Sequence, residues 1–252
     1  MSKRCCHIAI AVLLSMPVAA WAQAQGSQAP PSSSSANNVP SDADLAAAHC
    51  VIGEERFLPG DYYYCLGGLA YGQHHYGQSV RFFTTAASWA SKPAQYVLAV
   101  MALNGDHQPR NRALALAWLA LAAERPNSRF QSPYEELHKA VTQAERHAAN
   151  DLLEKMRPIY GDATAAKRAE DRYIEGMKWL ARMNKGSNQF CLEGMSTLDR
   201  QTVNPSGCPP VQQVVTRIDR QADTVFEGWS GHVTVGSLQQ VDASAAKPSG
   251  SP

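Results

Sequence analysis

The stretch AQYVLAVMALNGDHQPRNRALALAWLALAAE, residues 94–124, predicts two helices joined by a turn. Asn104-Gly105 ends the first apolar segment, and Asn111 is a suitable N-cap for the second, with Pro109 in the turn between them. Apolar residues recur at helical spacing in both arms: Ala94, Leu98, Met101 and Ala102, then Ala115, Trp118, Ala122 and Ala123. We therefore predict a helical hairpin in which alanines allow the two backbones to approach closely.

The second arm holds eleven consecutive apolar residues, 113–123. A membrane-spanning helix needs roughly 20 such residues. Arg110 and Arg112 precede the run, and Glu124 and Arg125 follow it. The run therefore indicates a buried helix of a helical protein.

A partial copy of this pattern lies upstream, in CLGGLAYGQHHYGQSVRFFTTAAS, residues 65–88. Leu66-Gly67 align with residues 98–99, and residues 82–87 align with residues 118–123. The second offset exceeds the first by four residues, so the earlier hairpin is predicted to have a loop shorter by four.

These two units resemble the SEL-one-like repeats, relatives of the tetratricopeptide repeat. The later unit matches the family pattern at Ala94, Leu98, Gly105, Pro109, Ala115, Trp118, Ala122 and Ala123. The earlier unit carries the resemblance on Leu66, Gly67, Phe82, Ala86 and Ala87. The later unit departs from the usual Gly, Tyr, Gly and Asp at Ala99, Ala102, His107 and Asn111.

The resemblance implies a mainly all-α fold, a short α-solenoid of antiparallel helical hairpins spanning residues 43–183. It also implies a non-catalytic protein that binds another protein through its helical-hairpin surface. Similar repeat proteins in bacterial envelopes are regulators of sensor kinases, scaffolds for exopolysaccharide assembly, or immunity proteins that block toxic effectors. The sequence does not discriminate among these roles.

A third, divergent hairpin is expected after the two units. Ser132 as N-cap, Pro133 at the first position and Glu135 indicate a helix that runs to about Arg157, before Pro158. Asp162 then caps a second helix, whose apolar side consists of Ala166, Ala169, Tyr173, Met177 and Leu180, with Trp179 beside them.

Residues 184–242 are expected to form an irregular C-terminal part that packs on the repeats. Residues 184–210 are rich in Gly, Ser, Asn and Pro and indicate a loop. A helix follows, with its apolar stripe on Val211, Val214, Val215, Ile218, Ala222, Val225 and Phe226. Val233 and Val235 alternate in a short β element, for which residues 190–195 are a candidate partner.

The two ends of the chain indicate export. Residues 1–22 have the basic start, apolar core and small-residue cleavage site of a signal peptide. Residues 23–42 and 243–252 have the composition of disordered segments. The mature chain has 21 Lys and Arg against 22 Asp and Glu, which gives a formal charge of −1. Such a charge does not indicate the basic surface of a nucleic-acid-binding protein. We expect a periplasmic or secreted protein without a transmembrane segment.

Four cysteines remain after cleavage, and an even number favours disulfides in an oxidising compartment. Four cysteines allow three pairings. The simplest joins the near neighbours Cys50 with Cys65 and Cys191 with Cys208. A zinc site is disfavoured because no C-x-x-C pair is present.

No residue is assigned a catalytic, cofactor-binding or metal-binding role. His49, His74, His75 and the pair Glu54-Glu55 lack metal-ligand spacing, and GWSGH at residues 228–232 lacks the second glycine of a nucleophile elbow. We therefore expect a protein that is not an enzyme.

A competing hypothesis places an envelope hydrolase or carbohydrate-binding site in residues 184–242, where Trp229 and His232 lie. It requires at least two of Asp199, Ser230 and His232 to come within hydrogen-bond distance.

Overall fold

A computed structural model describes residues 39–183, 189–192 and 207–232, and within these the secondary structure is helical apart from one β-bridge between Gln189 and Pro210. The elements are α1 (Asp42–Ala46), a 3-10 helix (Glu54–Arg56), α2 (Pro59–Gly72), α3 (Tyr76–Ser88), α4 (Lys92–Asn104), α5 (Arg112–Ala122), α6 (Gln131–Ala140), α7 (Gln143–Tyr160), α8 (Ala165–Met183) and α9 (Val211–Val225). Several of the predicted regions lie outside the described residues. They are the signal peptide, most of the 23–42 linker and of the 184–210 loop, the Val233 and Val235 element, and the C-terminal tail.

Helices α4 and α5 form the hairpin predicted from residues 94–124. Gly105 ends α4 in the left-handed conformation, with φ 73°. The side chain of Asn111 caps α5 by accepting a hydrogen bond from the backbone N–H of Leu114 at 2.9 Å. Lys92 at the start of α4 donates to the carbonyl of Leu121 at the end of α5, so the two helices are antiparallel.

Helices α2 and α3 form the earlier hairpin. Their connection is residues 73–75, against residues 105–111 in the later hairpin, so the loop is shorter by four residues as predicted. The Ser79 hydroxyl donates to the carbonyl of Gly67 at 2.8 Å. A Cβ at Gly67 would lie 2.5 Å from the Phe83 ring, so only glycine fits this contact.

The prediction of one helix from Ser132 to Arg157 is wrong, because the chain breaks at Val141 into α6 and α7. Val141 is extended and buried, and Thr142 with Glu145 forms a capping box that starts α7. The Ser132 hydroxyl instead donates to Glu136, within α6. Ser132 and Thr142 are both followed three residues later by Glu, which is the pattern of a capping box. Only Thr142 forms one, directly after the buried Val141.

The expected end of this helix before Pro158 is also wrong, since α7 continues through that proline to Tyr160. The Tyr160 ring packs edge-on against the Trp118 ring, with centroids 4.8 Å apart. This aromatic contact with a buried residue of α5 holds the last turn of α7 in helical conformation despite the missing N–H of proline.

Asp162 does not cap α8, which begins three residues later at Ala165. The Asp162 carboxylate lies against Arg125 and Lys92 instead, at 2.8 and 2.9 Å. The expected third hairpin of α7 and α8 is not the principal pairing, because α7 packs mainly on α5. Helix α8 makes small contacts of similar extent with α7, α9 and the 3-10 helix.

Two groups of buried side chains hold the described residues together. The hairpin core joins α3, α4, α5, α6 and α7, and includes Phe83, Leu98, Trp118, Leu121 and Met156. The C-terminal core joins α8 and α9 to Phe57 and Leu58, and includes Leu180, Val211, Val214, Ile218 and Phe226. The apolar stripes predicted for α8 and α9 lie in this second core, except for Ala166, which forms a separate small cluster with Ala90 and Ala165.

Two disulfides join Cys50 to Cys65 and Cys191 to Cys208, the pairing expected from the sequence. The first ties the segment after α1 to α2, and the second ties residues 189–192 to the start of α9. None of the helices in the described part of the chain has the length and apolar character needed to cross a membrane.

Candidate functional site

A groove of about 570 Å³ runs along the first helices of the two hairpins, α2 and α4. Residues 40–51 form its opposite wall, and α9 reaches one end. The residues that line it are Pro40, Leu45, Ala48, His49, Cys50, Val51, Glu54, Asp61, Tyr64, Cys65, Gly68, Tyr71, Phe83, Tyr96, Val97, Val100, Met101, Asp106 and Gln221.

The wall is held against α2 by a close backbone contact and a disulfide. A Cβ at Gly72 would lie 2.4 Å from the backbone nitrogen of Ala46, so α1 approaches α2 as closely as a glycine allows. Ser41 and Asp44 form a capping box that starts α1. The disulfide between Cys50 and Cys65 fixes the far end of the wall. The groove is therefore bounded on both sides by restrained backbone.

The floor of the groove is apolar and belongs to α4. Val100 is half-buried and lies on the opposite side of α4 from Leu98 and Ala102, which are buried in the hairpin core. Val97 is also half-buried and lies between the two faces, since it lines the groove and packs against the edge of that core. Tyr96 lines the floor beside them and stacks on Phe130, with centroids 5.0 Å apart. Helix α4 thus has one face in the core and a second apolar face toward the groove.

One end of the groove is acidic. Glu54 is 7% exposed, and burial followed by the neighbouring charge of Asp61 raises its pKa to about 7, although Arg217 acts in the opposite direction. Burial also raises the pKa of Asp61, whose carboxylate accepts a hydrogen bond from the Gln221 side-chain amide at 2.6 Å. A neutral amide from α9 is therefore the direct partner of this carboxylate.

The other end is closed by contacts of α2 and α3 with the loop of the later hairpin. The Tyr71 hydroxyl donates to Asp106 at 2.8 Å, and this bond raises the pKa of Tyr71 to about 12. His107 lies 3.2 Å from Asp106 and stacks on Tyr76. His107 has a φ of 53°, so it adopts the left-handed conformation although it is not a glycine.

The dimensions of the groove suit an extended chain segment. Asp61 and Tyr71 mark its two ends on α2, and ten helical residues at 1.5 Å each span about 15 Å. An extended chain of roughly four or five residues covers that length at about 3.3 Å per residue. Neither Lys nor Arg is among the described residues that line the groove.

The residues assigned to the repeat core from the sequence divide into two groups. Buried are Gly67, Ala86, Ala87, Ala94, Leu98, Ala115, Trp118 and Ala122. Half-buried are Leu66, Phe82, Gly105 and Ala123. Cys50 and Cys65 line the groove, whereas Cys191 and Cys208 lie beside the C-terminal core.

The competing hypothesis of a site in residues 184–242 gains no support from the described part of that segment. His232 is bonded to the carboxylate of Glu170 at 2.9 Å and packs on Phe226. Ser230 is exposed, and no hydrogen bond joins it to His232. Asp199, the third candidate, lies outside the described residues.

Sequence reasoning missed the residues that give the groove its character. Val97 and Val100 had a signal, since they form a second apolar stripe on a helix whose core stripe was already assigned. No local signal in the sequence pointed to Glu54, Asp61 and Gln221 as neighbours, because Asp61 and Gln221 are 160 residues apart in the chain. Within the described residues, no three His, Cys, Asp or Glu side chains gather as metal ligands.

Comparisons with protein-family models, with curated proteins and with solved structures found no match to this chain. The resemblance to the SEL-one-like repeats therefore depends on the residues of the two hairpins themselves. The groove and its lining are the features from which a function can be inferred.

Proposed function

We propose that the chain is an exported, non-catalytic helical-repeat protein of the SEL-one-like type, which binds another protein through the groove along α2 and α4. The observation that carries this proposal is a groove lined by the first helices of both hairpins, with an apolar floor on α4. Stacked helical hairpins in repeat proteins present such extended surfaces to their partners.

The volume and shape of the groove support this assignment. Its volume of about 570 Å³ lies within the usual range for binding sites, roughly 300–1,000 Å³. Half-buried valines and tyrosines provide the apolar contacts, and carboxylates at each end provide polar ones. An elongated groove with this lining fits a chain segment of a partner protein.

The two disulfides support the exported location. Disulfides persist in secreted and periplasmic proteins and are rare in a reducing cytosol. One of them forms part of the groove wall, so the binding surface itself depends on an oxidising compartment. In the cell envelope the protein would act as a regulator, a scaffold or an immunity-type protein.

Site-specific photo-crosslinking tests the proposal. A photoreactive amino acid replaces Val97 or Val100 in the groove, and a matched control replaces Glu154, which is exposed on α7. Crosslinking in cells of the source organism should give one and the same adduct from both groove positions, with no such adduct from the control position. Equal yields from groove and control positions, or no adduct from either groove position, would contradict binding in the groove.

A further inference from the structure

The acidic end of the groove holds two carboxyl groups that form no direct ion pair with a Lys or Arg among the described residues, although the charge of Arg217 in α9 acts on Glu54 from a greater distance. The carboxylate of Asp61 is paired with the neutral amide of Gln221 at 2.6 Å. Glu54 is 7% exposed and lies beside the same carboxylate and the same amide. Burying a carboxylate is unfavourable unless an opposite charge or several hydrogen bonds compensate for it.

The opposite end of the groove differs in this respect. Asp106 accepts a hydrogen bond from Tyr71 and lies 3.2 Å from the imidazole of His107. Its negative charge therefore has close polar partners from both hairpins. Glu54 and Asp61 instead have only the amide of Gln221 and the more distant Arg217, and no Lys or Arg is found among the described lining residues.

Apolar surface adjoins the two carboxylates. Tyr64 and Val51 line the groove at this end, and the valines of α4 continue the apolar floor. Lysine and arginine side chains are complementary to such a surface, because their methylene stems pack on apolar residues while the charged head binds a carboxylate. A small cation without a stem would leave the apolar floor uncovered.

We propose that the groove takes an extended segment of a partner protein in which a lysine or arginine side chain enters the acidic end and contacts Glu54 and Asp61. The apolar residues that flank this basic residue lie over Val97 and Val100. Gln221 is a positioning residue, because its amide holds the Asp61 carboxylate at the end of the groove. This inference rests on the proposed function and specifies the chemistry of the partner.

A random peptide library displayed on phage tests this chemistry. Selection uses the mature protein, and counter-selection uses Val100→Trp, in which the indole fills the groove. The peptides recovered should carry a lysine or arginine flanked by apolar residues. Each selected peptide is then compared with a matched peptide in which norleucine replaces the basic residue, and its affinity should fall by about tenfold or more.

Variants of the protein provide a second test of the same charge recognition. Glu54→Gln together with Asp61→Asn replaces both ionisable carboxyl groups with neutral amides, and the asparagine keeps an oxygen to accept from Gln221. This variant should reduce the affinity for the basic peptide by about tenfold or more and leave the norleucine peptide unaffected. Asp151→Asn together with Glu154→Gln removes two exposed carboxylates of α7 outside the groove; it is the matched control and should bind both peptides as the wild type does. Circular dichroism and thermal unfolding verify that each variant is folded.

The outcomes separate this inference from the proposed function. Groove-dependent peptides without a basic residue, or equal binding of the lysine and norleucine peptides, would overturn the charge recognition while leaving the groove as a binding site. Loss of basic-peptide binding in the α7 control variant but not in Glu54→Gln with Asp61→Asn would also overturn it. Recovery of no groove-dependent peptide would count against both.

Discussion

The hairpin core and the C-terminal core are built by different kinds of contact. In the hairpin core, helices that follow one another in the chain pack face to face, and alanines and Gly67 bring them close. In the C-terminal core, α8 and α9 pack on Phe57 and Leu58, which precede them by more than a hundred residues. The first core follows from local pattern, and the second depends on long-range pairing.

The two cores meet in a buried cluster of charged side chains. Asp162, before α8, contacts both Lys92 of α4 and Arg125, which follows α5. Arg125 also donates to the backbone carbonyls of Val225 and Glu227 at the end of α9. A second link joins α9 to the groove through Gln221 and Asp61. These polar contacts link the two apolar cores, together with the small apolar cluster of Ala90, Ala165 and Ala166.

The largest expected effect comes from breaking the charged cluster with Asp162→Ala. Lys92 and Arg125 are 6% and 8% exposed, and they would lose their shared carboxylate. Removing one partner of a buried ion pair costs about 3–5 kcal/mol. Urea unfolding measures the loss. Asp171→Ala is the control, because the Asp171 to Lys167 pair is exposed and should change stability little. Equal effects of the two substitutions would show that the cluster does not join the cores.

Removing either disulfide should lower stability by about 3 kcal/mol, since each closes a loop of similar length, with separations of 15 and 17 residues. The two variants should differ in which helices lose protection from amide hydrogen exchange. Cys50→Ser with Cys65→Ser should increase amide hydrogen exchange in α1 and α2. Cys191→Ser with Cys208→Ser should increase it at the start of α9. A uniform increase in both variants would contradict separate cores.

The protonation of Glu54 should make stability depend on pH where the groove meets α9. Its pKa is raised from 4.5 to about 7, first by burial, so the folded state holds a proton that the unfolded state releases. This contribution is fully present below about pH 4.5 and is lost as the pH rises through about 7, a decrease of at most about 3 kcal/mol. Asp61, Glu55, Arg217 and His49 also lie around this end of the groove.

Chemical unfolding at several pH values between about 5 and 8 measures the decrease, and Glu54→Gln isolates its source. The variant cannot ionise at this position, so its stability should change less over this range than that of the wild type. Parallel curves for the two proteins would show that Glu54 does not titrate near neutral pH.

The smallest expected effect tests the close approach within a hairpin. Gly67→Ala places a methyl group against the Phe83 ring and should destabilise the protein by about 1–3 kcal/mol. Gly77→Ala in α3 is the matched control, because nothing lies within 4 Å of the added Cβ. That substitution should stabilise α3 by about 0.5–1 kcal/mol. Thermal unfolding compares them, and changes of the same sign would contradict the contact.

Much of the hairpin region could be predicted from the sequence. The apolar spacing located α4 and α5, and Gly105 with Asn111 located their turn, because both signals depend on residues a few positions apart. The stripe on α9 was identified for the same reason. The single helix from Ser132 to Arg157 was wrong because two equal capping signals lie within that stretch, and the burial of Val141 is a property of the folded molecule.

Local patterns along the chain were enough to identify the apolar faces of the helices and the turns of the two hairpins, since these follow from backbone geometry over a few residues. The contact of α8 with α9, and the meeting of Glu54, Asp61 and Gln221 at the end of a groove, became apparent from the folded molecule alone. Helical periodicity shows that one face of a helix is to be buried, but it does not identify the element that covers this face. Contacts between distant residues arise only when whole helices pack together.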